Sequence, residues 1–385
     1  AVTGADVSLL GTNIVLNNSV GDTGTVNAVL EGTGSITQTA GTVRATNVGL
    51  EASNIGTSTD SLDTTATNLA VDSGNRAFVE DADSVTLVNS VTATAAMHTV
   101  TGNQGTDDYR VQANGDLTVS DNVLGDDISL VANGGNVILN NTVQGSSNVV
   151  LSATGNLVQN GGTVQSTNVG LDATNIGTSA NSFDTTAANL AIDSEGNAYV
   201  EDLNDVTLVA SVTSTAANDT VTGNDATGDY RVEANGLLIV DDAVTGANIS
   251  LVSDGGGIRL LNSVGSGGTT NAVLSASATI EQISGTVQAT NVGLDGNNIG
   301  TSGNSVDTNA TNLTIDAEGN AYVQDADGVT LVNSVTATAA NDSVTGNDAN
   351  GDYRVVAGGN LTVSDDVTGG DINLTTTGGD ITLNN

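Results

Sequence analysis

The chain repeats itself at a long interval. The stretch TNVGL begins at Thr46, Thr167 and Thr290, so the two intervals are 121 and 123 residues. The similarity extends well beyond these five residues, and repetition on this scale is typical of a chain that stacks similar units. We expect long repeats at residues 6–126, 127–247 and 248–370, with a partial fourth copy at residues 371–385.

A shorter repeat lies inside each long one. Segments that start with Asp or Asn, followed by an apolar residue, any residue and a second apolar residue, recur about every twenty residues. In the second copy these segments begin at Asp127, Asn148, Asn168, Asn189, Asp205 and Asp229. No stretch keeps the i, i+3, i+4, i+7 spacing of apolar residues that a helix requires. Strands are therefore predicted throughout.

Two arrangements of strands could produce such a rhythm. A meander of hairpins would need turns every 8 to 12 residues and gives no reason for a second period of six units. A right-handed parallel β-helix accounts for both periods, because each coil of about twenty residues contains two or three short strands and stacks on the next. We therefore predict an all-β fold: one continuous β-solenoid over residues 1–385, with about 19 coils and six coils per long repeat.

The alternation of side chains predicts which residues form the core. In the segment that starts at Asp127, Ile128 and Leu130 should point inward, whereas Asp127 and Ser129 should face water. Tyr109, Tyr230 and Tyr353 occupy an inward position in three equivalent coils, and packing is their predicted role. Asn residues at equivalent places should form ladders of side-chain amides.

A single coil cannot be stable by itself. Burial of its five or six aliphatic side chains stabilises a coil by less than the conformational entropy lost in fixing twenty residues. Stability should therefore come from hydrogen bonds and packing between neighbouring coils.

Composition excludes several classes of function. The net charge is −38, and the six basic residues are all Arg, so binding to nucleic acid or to an anionic membrane surface is not expected. The absence of Cys excludes disulfides, cysteine-bound zinc and cysteine nucleophiles. The sequence has no apolar run of membrane-spanning length, and its first residues, AVTGADVSLL, lack the features of a signal peptide. Cations are the small partners that this charge favours.

One acidic stretch is a candidate metal site. The sequence NDTVTGNDATGDY begins at Asn218 and returns as NDSVTGNDANGDY from Asn341. Its alternating oxygen ligands resemble the start of a Ca²⁺ loop, although the bidentate Glu of a complete loop is missing. The weak calcium candidates are Asp225, Asp229, Asp348, Asn350 and Asp352. The alternative is a polar turn insertion with loosely held counterions, and no cofactor is required.

Phrases such as GGNVILNNTV and GGDITLNN, joined by text such as NVVLSATGNLVQNGGTV, resemble the shaft repeats of filamentous-haemagglutinin-like exoproteins. These are long adhesins that Gram-negative bacteria secrete by the two-partner route. The resemblance covers essentially the whole chain. It implies a β-helical shaft at the cell surface or outside the cell, which holds functional domains away from that surface.

The expected function is therefore that of a non-catalytic structural shaft or spacer. Its expected partners are flanking parts of the same chain or identical copies end to end, with divalent cations as a further possibility, and no membrane insertion is expected. One alternative is a β-helix that binds or cleaves glycans. A catalytic cluster has no reason to recur in every long repeat, and seven aromatic residues offer few sugar platforms. A cation-dependent, self-associating filament or matrix protein is a further alternative.

Overall fold

The structure is a computed structural model that describes residues 1–94, 96–216 and 218–384. It is all-β, and its parallel strands stack as a β-solenoid of about 18 turns, roughly 21 residues apart. The predicted fold class is thereby confirmed. Within these residues there is no helix of the length and hydrophobicity needed to cross a membrane.

The strands are short and follow one another closely. Residues 6–105 contain β1 Asp6–Gly11, β2 Ile14–Leu16, β3 Val20–Gly21, β4 Asn27–Gly32, β5 Ser35–Gln38, β6 Val43–Ile55, β7 Leu62–Asp81, β8 Val85–Leu87, β9 Ser90–Ala93, β10 His98–Thr101 and β11 Asn103–Gly105. Residues 108–226 contain β12 Asp108–Ala113, β13 Leu117–Val119, β14 Val123–Ala132, β15 Val137–Leu139, β16 Val143–Gln159, β17 Val164–Ile176, β18 Phe183–Ser194, β19 Ala198–Asp202, β20 Val206–Leu208, β21 Ser211–Ser214, β22 Asp219–Thr222 and β23 Asn224–Ala226. Residues 229–349 contain β24 Asp229–Ala234, β25 Leu238–Val240, β26 Val244–Thr245, β27 Asn248–Ser253, β28 Ile258–Leu260, β29 Val264–Gly265, β30 Asn271–Gln282, β31 Val287–Ile299, β32 Val306–Ala317, β33 Ala321–Asp325, β34 Val329–Leu331, β35 Ser334–Ala337, β36 Asp342–Thr345 and β37 Asn347–Ala349. The last strands are β38 Asp352–Ala357, β39 Leu361–Val363, β40 Val367–Thr368, β41 Asp371–Thr376 and β42 Ile381–Leu383.

The chain consists of two compact units. Unit 1 contains residues 1–176, 184–186 and 212–221, and unit 2 contains residues 177–183, 187–211 and 222–385. The division does not coincide with the borders of the long repeats. Each unit therefore contains parts of more than one long repeat.

Parallel, in-register pairing of successive turns builds the core of unit 1. In the first column Leu30 pairs with Leu50, and Leu50 with Val71, and all three are fully buried. Ile14 lies below Ile36 in a second column, and Val20 pairs with Val43 in a third column. Each turn thus contributes three short strands whose inward side chains stack on those of the next turn, because residues in parallel pairs point to the same face.

Unit 2 is built by the same rule. Leu251 pairs with Leu274, Leu274 with Leu294, and Leu294 with Ile315. All four are fully buried. The aliphatic columns that the sequence predicted are therefore present in both units.

Ladders of side-chain amides run beside these columns. In unit 2 each Nδ2 donates to the Oδ1 of the residue one turn earlier, from Asn312 to Asn291, Asn271, Asn248 and finally Asp229, at 2.7, 2.8, 2.6 and 3.0 Å. Because every amide points the same way, the first acceptor needs no donor of its own. A carboxylate suits that place, and in unit 1 Asp6 accepts from Asn27 in the same way.

The long repeat does not complete six turns. Ile55 pairs with Ala77, Ala77 with Tyr109, and Tyr109 with Ile128. Leu69 pairs with Leu87, and Leu87 pairs with Val119 of β13. Leu117, on the same strand β13, pairs with Val137 of β15. The short second strand of one long repeat therefore lies in line with the long first strand of the next. The long repeat falls short of six whole turns, because the insertion that contains β9 and β10 leaves the winding and does not lengthen it.

In both units a buried aspartate accepts hydrogen bonds from a neighbouring turn. The Asp325 carboxylate, 1% exposed, accepts hydrogen bonds from the Thr308 hydroxyl at 2.8 Å and from the backbone N–H groups of Ala310 and Asp327 at 2.9 and 3.1 Å. Asp81 makes the same set of bonds in unit 1. Burial is the largest influence on Asp325 and raises its pKa, although these hydrogen bonds oppose the rise.

Asp325→Ala should destabilise the chain by about 1 to 3 kcal/mol, because it leaves buried donors without an acceptor. Asp327→Ala, at an exposed neighbouring position, is the control and should have little effect. Chemical denaturation followed by circular dichroism measures both variants. Equal stability of the two variants would contradict a structural role for the buried carboxylate.

Candidate functional site: surface hairpins and carboxylate columns

Three β-hairpins interrupt the winding at equivalent places. Leu69 pairs with Leu87, whereas Val71 pairs with Asn103, so residues 88–102 form an insertion within one strand position. Hairpin 1 consists of β9 and β10, hairpin 2 of β21 and β22, and hairpin 3 of β35 and β36. Hairpins 1 and 3 are antiparallel, unlike the strands of the solenoid. The sequence interpretation of this stretch as a polar turn insertion missed the hairpin.

Backbone geometry at the exit and at the tip requires particular residues. Gly346 has a φ of 88° and donates its N–H to the Asn333 carbonyl at 2.7 Å, which closes hairpin 3 at its base. Asn341 at the tip has a φ of 60°, a conformation that Asn tolerates better than most residues. Gly102 and Gly223 have the same positive φ in the other copies. The repeated TGN sequence thus marks the place where each hairpin returns to the solenoid.

Each hairpin lies with its apolar side on the outer face of the solenoid. In unit 1 the buried side chains Val91, Ala93 and Val100 of hairpin 1 form a cluster with Val29 and Ala70. In unit 2 Val335, Ala337 and Val344 of hairpin 3 pack on Val273. The alternation of Val and Ala in this stretch was the signal that could have predicted a strand with one covered face.

The glycine of the TNVGL sequence provides space under the hairpin. A Cβ atom on Gly293 would lie 3.0 Å from Val344 Cγ2, and one on Gly49 would lie 3.1 Å from Val100 Cβ. Gly170 has the same relation to Val221 of hairpin 2. These distances are shorter than ordinary van der Waals contact, so a side chain here would displace the hairpin.

A polar contact fixes the start of the second strand in hairpins 2 and 3. Asp219 accepts a hydrogen bond from Arg110 Nε at 3.0 Å and another from the Ser129 hydroxyl. Asp342 accepts from Arg231 Nε at 2.9 Å and from the Ser250 hydroxyl. In each case the arginine lies more than a hundred positions from its carboxylate along the sequence.

These contacts also correct the predicted exposure of two residues. Ser129 is fully buried and Asp127 is 7% exposed, although both were expected to face water. Hairpin 2 covers them, because the Ser129 hydroxyl donates to Asp219 and the Thr215 hydroxyl donates to Asp127 Oδ2. The inward positions of Ile128 and Leu130 are confirmed.

The buried tyrosines support the bases of the hairpins. Tyr109, Tyr230 and Tyr353 are fully buried, which confirms their predicted inward position. In unit 2 the Tyr353 hydroxyl donates to Asn347 Oδ1 at 3.2 Å, and Asn347 Nδ2 donates to the Val332 carbonyl at 2.8 Å. Burial raises the pKa of Tyr353 far above its usual range, so the phenol stays neutral and can donate.

Carboxylates form columns on the outer surface. In unit 2 Asp295 pairs in register with Asp316, and Asp316 with Asp348. Burial and then the neighbouring charges, Asp348 first, raise the pKa of Asp316 to about 6. In unit 1 Glu51 lies between Glu31 and Asp72, and its pKa is raised by burial and by these two charges. The columns carry unfavourable repulsion that a proton or a cation would relieve.

The structure distributes the calcium candidates over separate contacts. Asp348 belongs to a carboxylate column, and Asp225 pairs in register with Asp193 in another. Asp229 and Asp352 each accept a tyrosine hydroxyl, from Tyr199 and Tyr322, at 2.7 Å. Asn350 Nδ2 donates to the Glu318 carbonyl at 2.8 Å. Among residues 1–94, 96–216 and 218–384, no three His, Asp or Glu side chains are grouped to hold a metal, and calcium binding stays a prediction.

Two surface grooves of unit 1 are partly lined by charged residues. A cavity of about 230 Å³ lies beside Arg44 and Thr46, below the usual range of ligand pockets. A cavity of about 430 Å³ is lined by Arg76. Its Nε donates a hydrogen bond to Asp107 at 2.8 Å and forms an ion pair with Asp108 at 3.1 Å. Neither groove presents an exposed aromatic platform among its lining residues.

Comparisons with known proteins returned no relative. No family model matches the sequence, and searches of curated proteins and of solved structures also found no match.

Gly293→Val should lift hairpin 3 from the solenoid, because the new side chain would overlap Val344. Overpacking of this kind costs about 1 to 3 kcal/mol. Limited proteolysis should then cut the variant within residues 334–345 faster than the parent chain. Gly303→Val is the control, since a Cβ there meets nothing within 4 Å. Unchanged cleavage of the Gly293 variant would contradict the close packing of hairpin 3 over this glycine.

Asp316→Asn should stabilise the chain at pH 7 and weaken its pH dependence. The folded carboxyl keeps its proton up to about pH 6, whereas the unfolded one loses it near its model value of 3.8. The free energy of unfolding should therefore fall as pH rises from about 4 to 6. After allowance for solvent screening, the gain at pH 7 is on the order of 1 kcal/mol.

Denaturation midpoints measured from pH 4 to 7.5 test this effect, with Asp307→Asn at an exposed position as the control. The same slope with pH in the parent chain and in the Asp316 variant would show that the column carries no repulsion.

Proposed function

We propose that the chain is a non-catalytic structural spacer: the shaft of an extracellular bacterial adhesin or surface filament. The observation that carries this proposal is the repetition of one architecture along the sequence. The same aliphatic columns, amide ladders and hairpin seats recur in each long repeat, whereas an active site would be expected once. Repetition of this kind serves length and stiffness, which are the properties that a shaft needs.

The surface chemistry supports the same proposal. The charge of −38 keeps such a chain soluble and discourages nonspecific contact with nucleic acid and anionic lipid. The buried Tyr353 hydroxyl and the buried Asp325 carboxylate are both used in hydrogen bonds within the solenoid. The resemblance to haemagglutinin-like shaft repeats supports a place outside the cell, where flanking domains or identical copies would be the partners.

A second candidate function is cation-dependent self-association. The column of Asp295, Asp316 and Asp348 supports it. A divalent cation shared between the columns of two chains would relieve the repulsion among these carboxylates. This role is compatible with a filament and would add a calcium dependence to it.

Stretching single molecules tests the spacer proposal. The chain has no Cys, so one Cys added at each terminus gives unique attachment points for optical tweezers. A shaft should resist load and then unravel in discrete steps, and a long repeat should release about 40 nm of chain. Asp325→Ala should lower the force of the steps in the turns around it. Smooth extension without steps would contradict the proposal.

The alternatives predict different results with the same protein. A glycan-binding or glycan-cleaving protein should bind or shorten members of a polysaccharide panel. A cation-dependent filament should scatter more light when Ca²⁺ is added and less after chelation. Glycan cleavage by the purified chain would replace the spacer proposal with an enzymatic one.

A further inference from the structure

The turn after β14 is one residue longer than the turn that lies one coil earlier. Three residues join β12 to β13, whereas four residues join β14 to β15. Both turns begin with an Asn-Gly pair, which is Asn114–Gly115 in the shorter turn and Asn133–Gly134 in the longer one. Gly134 is exposed, whereas Gly115 is only partly exposed. The longer turn therefore brings its Asn-Gly pair further into solvent.

An Asn-Gly pair is a place where a protein chain can react with itself. Glycine has no side chain to hinder the approach of its backbone nitrogen to the Asn side chain. When this nitrogen attacks Asn Cγ, a C–N bond forms, the bond from Cγ to the amide nitrogen breaks, and the departing ammonia takes up the proton of the Gly N–H. Water then opens the resulting succinimide to aspartate or isoaspartate. A hydrogen bond from the Gly N–H has to break before the attack, so such a bond protects the pair.

Four of the five Asn-Gly pairs in the chain have this protection. Their Gly N–H groups donate to backbone carbonyls of neighbouring coils at 3.1, 3.3, 3.1 and 2.8 Å, in Gly115, Gly161, Gly236 and Gly351. Within residues 1–94, 96–216 and 218–384, neither the Gly134 N–H nor the Asn133 side chain has a hydrogen-bond partner. Gly134 is also the one exposed glycine among the five. The fifth pair thus combines a free nucleophile with a free side-chain amide.

We propose that Asn133 is a site of spontaneous deamidation, at which the folded chain converts a neutral amide into a carboxylate without an enzyme. The reaction consumes one water molecule and releases ammonia, so it needs no oxidant, reductant or cofactor. Unit 2 has an equivalent four-residue turn between β27 and β28, and it begins with Asp254–Gly255. An ordinary aspartate therefore fits a turn of this length.

Isoaspartate is the product that the stacked turns do not accommodate. Its main chain passes through the former side chain, which adds one atom to the backbone of the turn. Coils on both sides hold this turn in place. The Asn136 N–H donates to Asp116 Oδ1 at 2.8 Å, and the Gly135 carbonyl accepts from the Gly155 N–H at 2.8 Å. Isoaspartate should break this register and loosen the turn, whereas aspartate should not.

Peptide mapping of the intact chain tests the proposal. The purified chain is kept in warm, mildly alkaline buffer and then digested with pepsin at acidic pH, and mass spectrometry follows the replacement of each amide by a carboxylate. The Asn133 peptide should convert about fivefold faster than the other four Asn-Gly peptides, which is the factor that one net hydrogen bond represents. Equal conversion of all five pairs, or slower conversion of Asn133 than of another pair, would overturn the proposal.

The unfolded chain is the matched control for this experiment. In concentrated urea the hydrogen bonds of the folded turns are lost, so the five pairs should convert at similar rates. A preference for Asn133 that persists in urea would assign the effect to the neighbouring sequence and would reject the role of the fold.

Two variants connect the reaction to its products. Asn133→Gln should abolish the conversion of this peptide, because the longer side chain would have to close a less favourable six-membered ring. Asn133→Asp copies the ordinary product, and its hydrogen exchange over residues 133–136 should match that of the fresh parent chain. Aged parent chain that contains isoaspartate should lose protection there. Unchanged protection in that fraction would contradict the predicted loosening.

Discussion

The structure depends on the in-register parallel pairing of each turn with the next. This pairing places Leu30 beside Leu50, and Leu50 beside Val71. The size and polarity of a side chain in one turn therefore constrain those of the paired residues in the neighbouring turns. It also satisfies the backbone groups of every inner turn, which a single coil cannot do. The amide ladder from Asn312 to Asp229 follows the same geometry outside the core. The sequence repeats because this pairing requires similar side chains at equivalent positions of successive turns.

The hairpins add contacts that nearest-neighbour stacking cannot provide. Hairpin 1 packs on Val29 and Ala70, which lie two turns apart, and Gly49 between them gives it room. Asp219 reaches Arg110 and Ser129, which belong to different turns of unit 1. A stack in which each turn touches only its neighbours can fray one turn at a time. Clamps of this kind couple several turns and should make their opening more cooperative.

The parts that were predictable from the sequence are those that local alternation determines. The inward positions of Ile128, Leu130 and Tyr109 follow from spacing within a few residues, and the structure has all three buried. The burial of Ser129 could not be predicted, because its cover, Asp219, lies 90 positions away. The shortfall from six whole turns has a related cause: the insertion that contains β9 and β10 leaves the winding and packs outside it on residues distant in the sequence.

The shortfall of the long repeat from six whole turns has a consequence for valency. Within unit 1 the strands that seat hairpin 1 lie in line with the short strands of the next long repeat, and Tyr109 and Ile128 continue a different column. Hairpins 1 and 2 therefore emerge on different sides. A flat binding partner that lies along one side could contact one of these two hairpins but not both. Repetition of the sequence therefore does not place identical binding points on a common face.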